Sequence, residues 1–424
     1  MAKVNEKLSA KSWALIWVLG LAGQLCWNIE NQWFNTFVYA KIGPYASIIA
    51  WMTACSAAAT TISTFVSGTL SDRIGRRKPF IFIGYILWGL FTILFGTSEF
   101  LPKNSITAAA VMVVMMDALM SFFGSMGNDS GFNSWTTDIT NEHNRGQLGA
   151  VMAAQPVIAT IVGTVGAGII IEVFGYFEFF VFAGLFVMLI GAIGTAMLRE
   201  GAELRPVKDE KGFWHQFFSV FNFKNFMQNK QLFFVFCIMS VYFICFNFYF
   251  VHVGNYFIYS LGYSEGAAGI IQGVGLLIAV LATIPASKFI NAGKHPQMIY
   301  TSVACTIIGL LVLGVCGGNI PLIEMGIILA GIGYVLVLQT TTAWAKNLYP
   351  KDNRGQYEGV RIIFFVLIPM VIGPAIASVI INNFGKAVVI NGESGMAPSG
   401  ILFLFAAAFT IFTVIPTHLA AKSR

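Results

Sequence analysis

Apolar residues run through this chain in long blocks, and polar residues gather in short strips between them. A helix needs about 20 apolar residues to cross the hydrocarbon core of a bilayer, so each block predicts one spanning helix. Twelve blocks can be counted, at 13–40, 45–70, 79–98, 106–130, 147–172, 178–198, 231–259, 265–290, 296–316, 320–344, 357–381 and 399–420. One long polar stretch, 199–230, parts the first six from the last six. Its second portion, FWHQFFSVFNFKNFMQ, mixes aromatic rings with Lys224 and predicts a helix lying in the membrane interface. The pattern predicts an all-α integral membrane fold of twelve transmembrane helices. It has an N-terminal six-helix bundle at 1–198, a linker at 199–230 and a C-terminal six-helix bundle at 231–424.

Composition agrees: 57% of the 424 residues are hydrophobic, 10% are charged, and the mean hydropathy is +0.75. Soluble domains carry about 25% charged residues, which excludes a water-facing fold. The formal net charge of +6 is unevenly placed. Lys and Arg collect in the strips on the side of both termini, and the opposite side has Lys41, Lys103 and Lys386, with Arg361 near a helix end. Cationic loops stay in the cytoplasm, so a multi-pass protein of the cell (plasma or inner) membrane with both termini cytoplasmic is expected. The basic balance is thus an orientation signal, and no nucleic-acid partner is expected. The start, MAKVNEKLSAK, lacks a small-residue cleavage site and reads as retained.

Several chemistries drop out. The six cysteines have no metal or redox spacing, and no metal site or cofactor is expected. No phosphate-binding G-x-x-x-x-G-K-[ST] loop and no G-x-S-x-G elbow occurs. An enzyme is not expected.

The halves echo each other. WTTDITNEHNRGQLGAV (135–151) aligns with WAKNLYPKDNRGQYEGV (344–360), pairing Trp135 with Trp344 and Asn144–Gln147 with Asn353–Gln356. NTFVY (35–39) likewise aligns with NYFIY (255–259). Two bundles in the same sense form a parallel repeat, an arrangement that puts a substrate site at the midplane.

Polar residues inside a membrane are costly and mark candidate sites. In the first helix Gln24, Asn28, Asn31 and Asn35 recur on one helical face, with Trp27 beside them. The fourth has Asp117, Ser121, Gly124 and Asn128; the seventh has Tyr242, Cys245, Tyr249, His252 and Tyr256; the tenth adds Gln339. Amides supply paired donors and acceptors and tyrosines supply flat rings with a polar tip, which suits a polyhydroxylated small-molecule substrate. Interhelical hydrogen bonding is the competing role for the amides. Asp117 lies on its stripe, whereas Glu30 lies about 120° round from the amides at 100° per residue. Both are unpaired mid-membrane carboxylates, the kind whose proton affinity desolvation raises, and both are candidate cation-coupling groups.

The strip SGTLSDRIGRRKPF (67–80) resembles the G-x-L-x-D-R-x-G-R-R-K loop of the major facilitator superfamily, in its usual place between helices 2 and 3. Asp138 to Gly146 resembles the superfamily's D-x6-RG loop between helices 4 and 5. GQLCW and LSDRIGRRKPFI also resemble the sucrose-type and glycoside–pentoside–hexuronide cation symporters. The resemblance implies a gating cluster of Gly68, Asp72, Arg73, Gly75, Arg76, Arg77, Asp138, Arg145 and Arg354. In it Asp72 accepts hydrogen bonds from arginines such as Arg145 and helps latch the cytoplasmic side. It also implies secondary active transport by alternating access, as proton-coupled symport of a sugar or glycoside by a monomer in the lipid bilayer. Sodium is the competing ion, but helix 2 carries Thr53, Ser56, Thr60, Thr61, Ser63 and Thr64 without a carboxylate above Asp72. The alternatives are a drug or metabolite antiporter, a lipid carrier and a non-transporting membrane sensor. No sizeable output domain for a sensor is visible in the sequence.

Overall fold

A computed structural model describes residues 8–102, 105–140, 144–201, 204–206, 229–349 and 360–423. Among them, twelve helices are long and apolar enough to cross a membrane. Spans 1 to 6 are Ala10–Ile42, Ala46–Ile74, Lys78–Phe100, Ile106–Asp138, Gln147–Phe174 and Tyr176–Met197. Spans 7 to 12 are Lys230–Ser260, Glu265–Thr283, His295–Val315, Ile320–Leu348, Val360–Phe384 and Gly400–Lys422. The expected interfacial helix at 213–228 and Arg354 lie outside the described residues.

The chain forms two compact units, Met1–Asn31 with Cys55–Phe217, and Gln32–Ala54 with Phe218–Arg424. The last third of span 1 and the start of span 2 therefore belong with the C-terminal spans.

Small residues set how closely spans pack. Spans 3 and 6 meet backbone to backbone, and a Cβ on Gly184 would stand 2.5 Å from the carbonyl oxygen of Gly89. With lipid as apolar as leucine, such close approach is what holds helices together. The second unit adds large rings: Leu232, Phe236, Tyr242, Phe243 and Trp344 form one buried cluster, and Phe257, Ile323, Leu402 and Phe403 belong to another.

Several spans widen locally into π-helix: Glu30–Phe34 and Val38–Ile42 in span 1, Ser125–Phe132 in span 4, Tyr256–Ser260 in span 7 and Ile363–Leu367 in span 11. Span 7 also leaves the α-helix for a turn at Val251–His252, where His252 N donates to Tyr249 O at 3.0 Å.

A β-hairpin joins spans 11 and 12, with β1 (Lys386–Ile390) antiparallel to β2 (Glu393–Ala397). Its two-residue loop is Asn391-Gly392, with φ of 54° and 88°, the positive-φ pair that this turn demands. The hairpin binds the loop after span 1: Met396 N donates to Pro44 O at 3.3 Å. Tyr39 Oη donates to Met396 O at 2.9 Å and Tyr45 Oη to Glu393 Oε2 at 2.8 Å. That bond to Glu393, with some burial, raises the Tyr45 phenol above its ordinary value.

Candidate coupling and substrate site

Glu30 opens the π segment of span 1, and its carboxyl meets hydroxyls from two other spans. Oε1 accepts from Ser56 Oγ at 2.5 Å and from Ser121 Oγ at 2.7 Å, and the two hydroxyls stand 2.8 Å apart. Each hydroxyl has one proton, so only two of these three contacts carry hydrogen at a time. Oε2 of Glu30 and Oδ1 of Asp117 are buried without a hydrogen-bond partner among the described residues. The two carboxyl groups interact directly with each other. They are sealed from solvent, at 6% and 2% exposure. In sequence the nearest basic residues to the pair are Lys41 and Lys103. The wheel that set Glu30 apart from the stripe described one helix, whereas this pairing is made across helices.

The amides do separate work. Asn28 Nδ2 donates to Thr164 Oγ1 of span 5 at 3.4 Å, and its Oδ1 is buried without a partner beside Gly163. Asn31 Nδ2 donates to Trp27 O, one turn back, at 2.7 Å. Asn128 Nδ2 donates to Tyr85 Oη at 2.9 Å, and Tyr85 in turn donates to Leu19 O at 2.7 Å. Trp27 packs on Trp88 with ring centroids 4.8 Å apart. Gln24 is half-buried. Asn35 falls in the second unit, where its carbonyl accepts from Asn255 Nδ2 at 3.0 Å. The register shift at the π segment breaks the stripe there, because a π turn takes more residues than the α period assumes.

In the second unit, Tyr242 Oη bonds Thr306 Oγ1 at 2.8 Å and Tyr256 Oη donates to Leu313 O at 3.2 Å. Tyr249 packs against Phe246 and Phe403 at 5.6 and 6.0 Å. His252 is buried at the turn in span 7, with no hydrogen-bond partner on either ring nitrogen among the described residues. Gln339 is exposed. Phe246 stacks on both Phe250 and Tyr334, each at 4.5 Å.

At the end of spans 2 and 4, Arg77 organises the charge strip. Nη1 lies 2.6 Å from Asp72 Oδ1 and Nε lies 2.9 Å from Asp138 Oδ2. Burial pulls the Arg77 guanidinium down, but the hydrogen bond to Asp138 and the charge of Asp72 outweigh it and leave it raised. The described partner of Asp72 is therefore Arg77, where the sequence pointed to Arg145, whose side chain lies outside the described set. Gly75 has φ +68°, and a Cβ there would stand 2.6 Å from Pro206 N. Gly68 lies near Ser130 Oγ.

Three polar residues escaped the sequence reading. Gln155 Nε2 donates to Ile16 O at 2.8 Å. Glu200 accepts from the backbone N–H of Arg77 and Lys78, capping span 3 at 2.9–3.2 Å. Asp129 sits within reach of Ser125 and acts electrostatically on Glu30. All lie off simple stripes; Asp129, an acid in mid-helix, was detectable as an intramembrane charge.

The sequence profile of the Major Facilitator Superfamily matches residues 16–313 and 253–423. The chain belongs to that superfamily. Membership points to a secondary transporter of small molecules rather than an enzyme. The nucleoside transporter NupG superposes with a TM-score of 0.73 at 10% identity, covering 96% of this chain and 98% of its own. A D-xylose–proton symporter gives 0.70 at 14% identity, with 96% and 99% covered. A bacterial homologue of the human lysosomal transporter Spinster gives 0.73 at 12% identity, with 99% and 98% covered. At these identities the likeness concerns the fold of this superfamily member alone. No curated protein matches it in sequence.

Proposed function

We infer that this superfamily member is a proton-coupled symporter that imports a sugar or glycoside by alternating access, with both termini in the cytoplasm. The observation that carries the coupling is the Glu30–Asp117 pair. Ionising both carboxyls would set two like charges side by side in a low-dielectric interior, so the pair fits a single shared proton. Loading that proton takes the pair from two negative charges to one, and a less charged site reorients across a membrane at lower cost. A polyhydroxylated substrate is supported, within the first unit, by the half-buried Gln24, the Asn28 carbonyl oxygen that has no partner among the described residues, and Trp27. The orientation rests on the Lys and Arg asymmetry of the loops.

The test is uptake of radiolabelled xylose, sucrose and uridine into proteoliposomes, with pH and sodium gradients imposed separately. A pH gradient should drive accumulation of a sugar, and a sodium gradient alone should not. Accumulation driven by sodium alone removes the proton assignment, and transport of uridine without either sugar removes the sugar assignment.

A further inference from the structure

Two ladders of polar side chains interlock inside the first unit. Span 2 carries Ser56, Thr60 and Thr64, and span 4 carries Asp117, Ser121, Ser125 and Asp129, each set spaced by four residues. The upper rung joins Ser56 Oγ to Ser121 Oγ at 2.8 Å, directly under Glu30 Oε1. The next joins Thr64 Oγ1 to Ser125 Oγ at 2.6 Å. Both of these hydroxyls also reach the carbonyl of Thr60, at 2.9 and 3.1 Å. Each therefore has one proton and two acceptors to choose between, the condition for a hydroxyl to pass a proton on. At the foot, the Asp129 carboxyl lies within reach of Ser125.

Backbone geometry keeps Asp129 on this face. A four-residue step overshoots a turn of α-helix by about 40°, so a ladder spaced by four drifts around the helix. The π segment beginning at Ser125 has a longer turn and takes out part of that drift. Asn128, which the α period puts on the stripe, turns instead to Tyr85. The titratable neighbours of the ladder are Cys26 by Glu30, Cys55 by Asp117 and Tyr85 by Asp129. None is basic.

We propose that this ladder is the proton route between the Glu30–Asp117 pair and the terminal side of the membrane, with Asp129 as its release group. The proposal rests on the proton-coupling reading above. The pair is closed to solvent, at 6% and 2% exposure, while Asp129 is half-buried and lies three turns nearer the Asp138 end of span 4. The carboxylic O–H of the pair gives its proton to a neighbouring hydroxyl oxygen as that hydroxyl releases its own. A four-residue rise is about 6 Å, a gap that one hydrogen-bonded water bridges. Each hydroxyl keeps one proton throughout and turns back to its first acceptor afterwards, and one proton leaves through the Asp129 carboxylate.

The experiment needs no transported substrate. Infrared difference spectroscopy of the purified protein follows the carboxylic C=O band after a pH jump, and the band of the pair is the one that Asp117→Asn removes. Asp129→Asn should keep that band but slow its relaxation about 100-fold, the scale of losing a positioned acid–base group. Added formate should restore the rate, since a small acid can replace a missing carboxyl but cannot repair packing. Asp129→Glu should relax like wild type, and Ser125→Ala should be slowed even if Asp129→Asn does not fold. Wild-type relaxation in Asp129→Asn or Ser125→Ala, or slowing that formate leaves untouched, overturns the route while coupling by the pair stands. A wild-type spectrum with no titrating band assignable to the pair removes the coupling reading, and the route with it.

Discussion

The two halves of this transporter descend from one pattern, yet their interiors are built from opposite chemistry. The offset that aligns Trp135 with Trp344 sets Asp117, Ser121, Ser125 and Asp129 of span 4 against Gly326, Ala330, Tyr334 and Leu338 of span 10. The offset that aligns NTFVY with NYFIY sets Asn28 and Glu30 against Phe248 and Phe250. In the first unit, spans 1 and 4 meet through Glu30 and Ser121. In the second, spans 7 and 10 meet through the stack of Phe250, Phe246 and Tyr334. The first arrangement can bind and release a proton. The second supplies flat rings and has no carboxyl at the matching positions. One backbone plan thus carries a titratable half and an aromatic half.

The sharpest way to break the contrast is Asp117→Asn. It imitates a permanently protonated pair, so substrate exchange across the membrane should persist while accumulation under a pH gradient falls to the level of protein-free liposomes. Counterflow measured beside gradient-driven uptake checks this, and accumulation that survives would take Asp117 out of the coupling step.

Phe243→Ala probes the aromatic half. Phe243 is 3% exposed and packs on Phe365 at 4.4 Å, so its loss should cost about 3–5 kcal/mol of stability. What transport remains should keep its wild-type pH dependence. A thermal melt and a pH profile of uptake read the two effects, and an altered profile would mean that the halves do not divide the work.

Asn28→Ala is expected to weaken sugar binding by about 1–3 kcal/mol, the cost of a polar partner left unpaired. Titration calorimetry with the sugar selected by the uptake panel measures it. Normal binding with a lowered melting temperature would assign Asn28 to its contact with Thr164 instead.

The smallest effect should come from the hairpin, which the described first unit does not repeat: spans 5 and 6 turn at Gly175. Gly392 has φ +88° and open space around it, so Gly392→Ala carries only the left-handed backbone penalty of about 1–2 kcal/mol. A small drop in melting temperature with unchanged uptake is the expected result.

The hairpin was legible in the chain. VVINGESG has the Asn-Gly pair between strand-forming residues that marks a two-residue turn, but it falls in a loop between two strong apolar blocks that draw the eye. Twelve spans were legible because a membrane demands length and apolarity from each helix separately, a local requirement that a window of sequence can meet or fail. Asp117 and Glu30 stood out for the same reason, since a carboxyl in an apolar block is conspicuous wherever its partners lie.

Partnership was not legible. That Glu30 and Asp117 face each other, that Asn31 bonds its own helix and that Asn35 bonds Asn255 depend on how spans distant in sequence are set side by side. Asp129 was visible as an acid in an apolar block, but its place on the ladder was not: an α period assigns Asn128 to the stripe, and the π turn from Ser125 gives the place to its neighbour. Sequence by itself determined the number of spans, the repeat and which residues are costly to bury, because each is a property of composition along a line. Tertiary structure decided which of those costly residues offset one another, because hydrogen bonds and charge pairs act over about 3–6 Å in space whatever the distance along the chain.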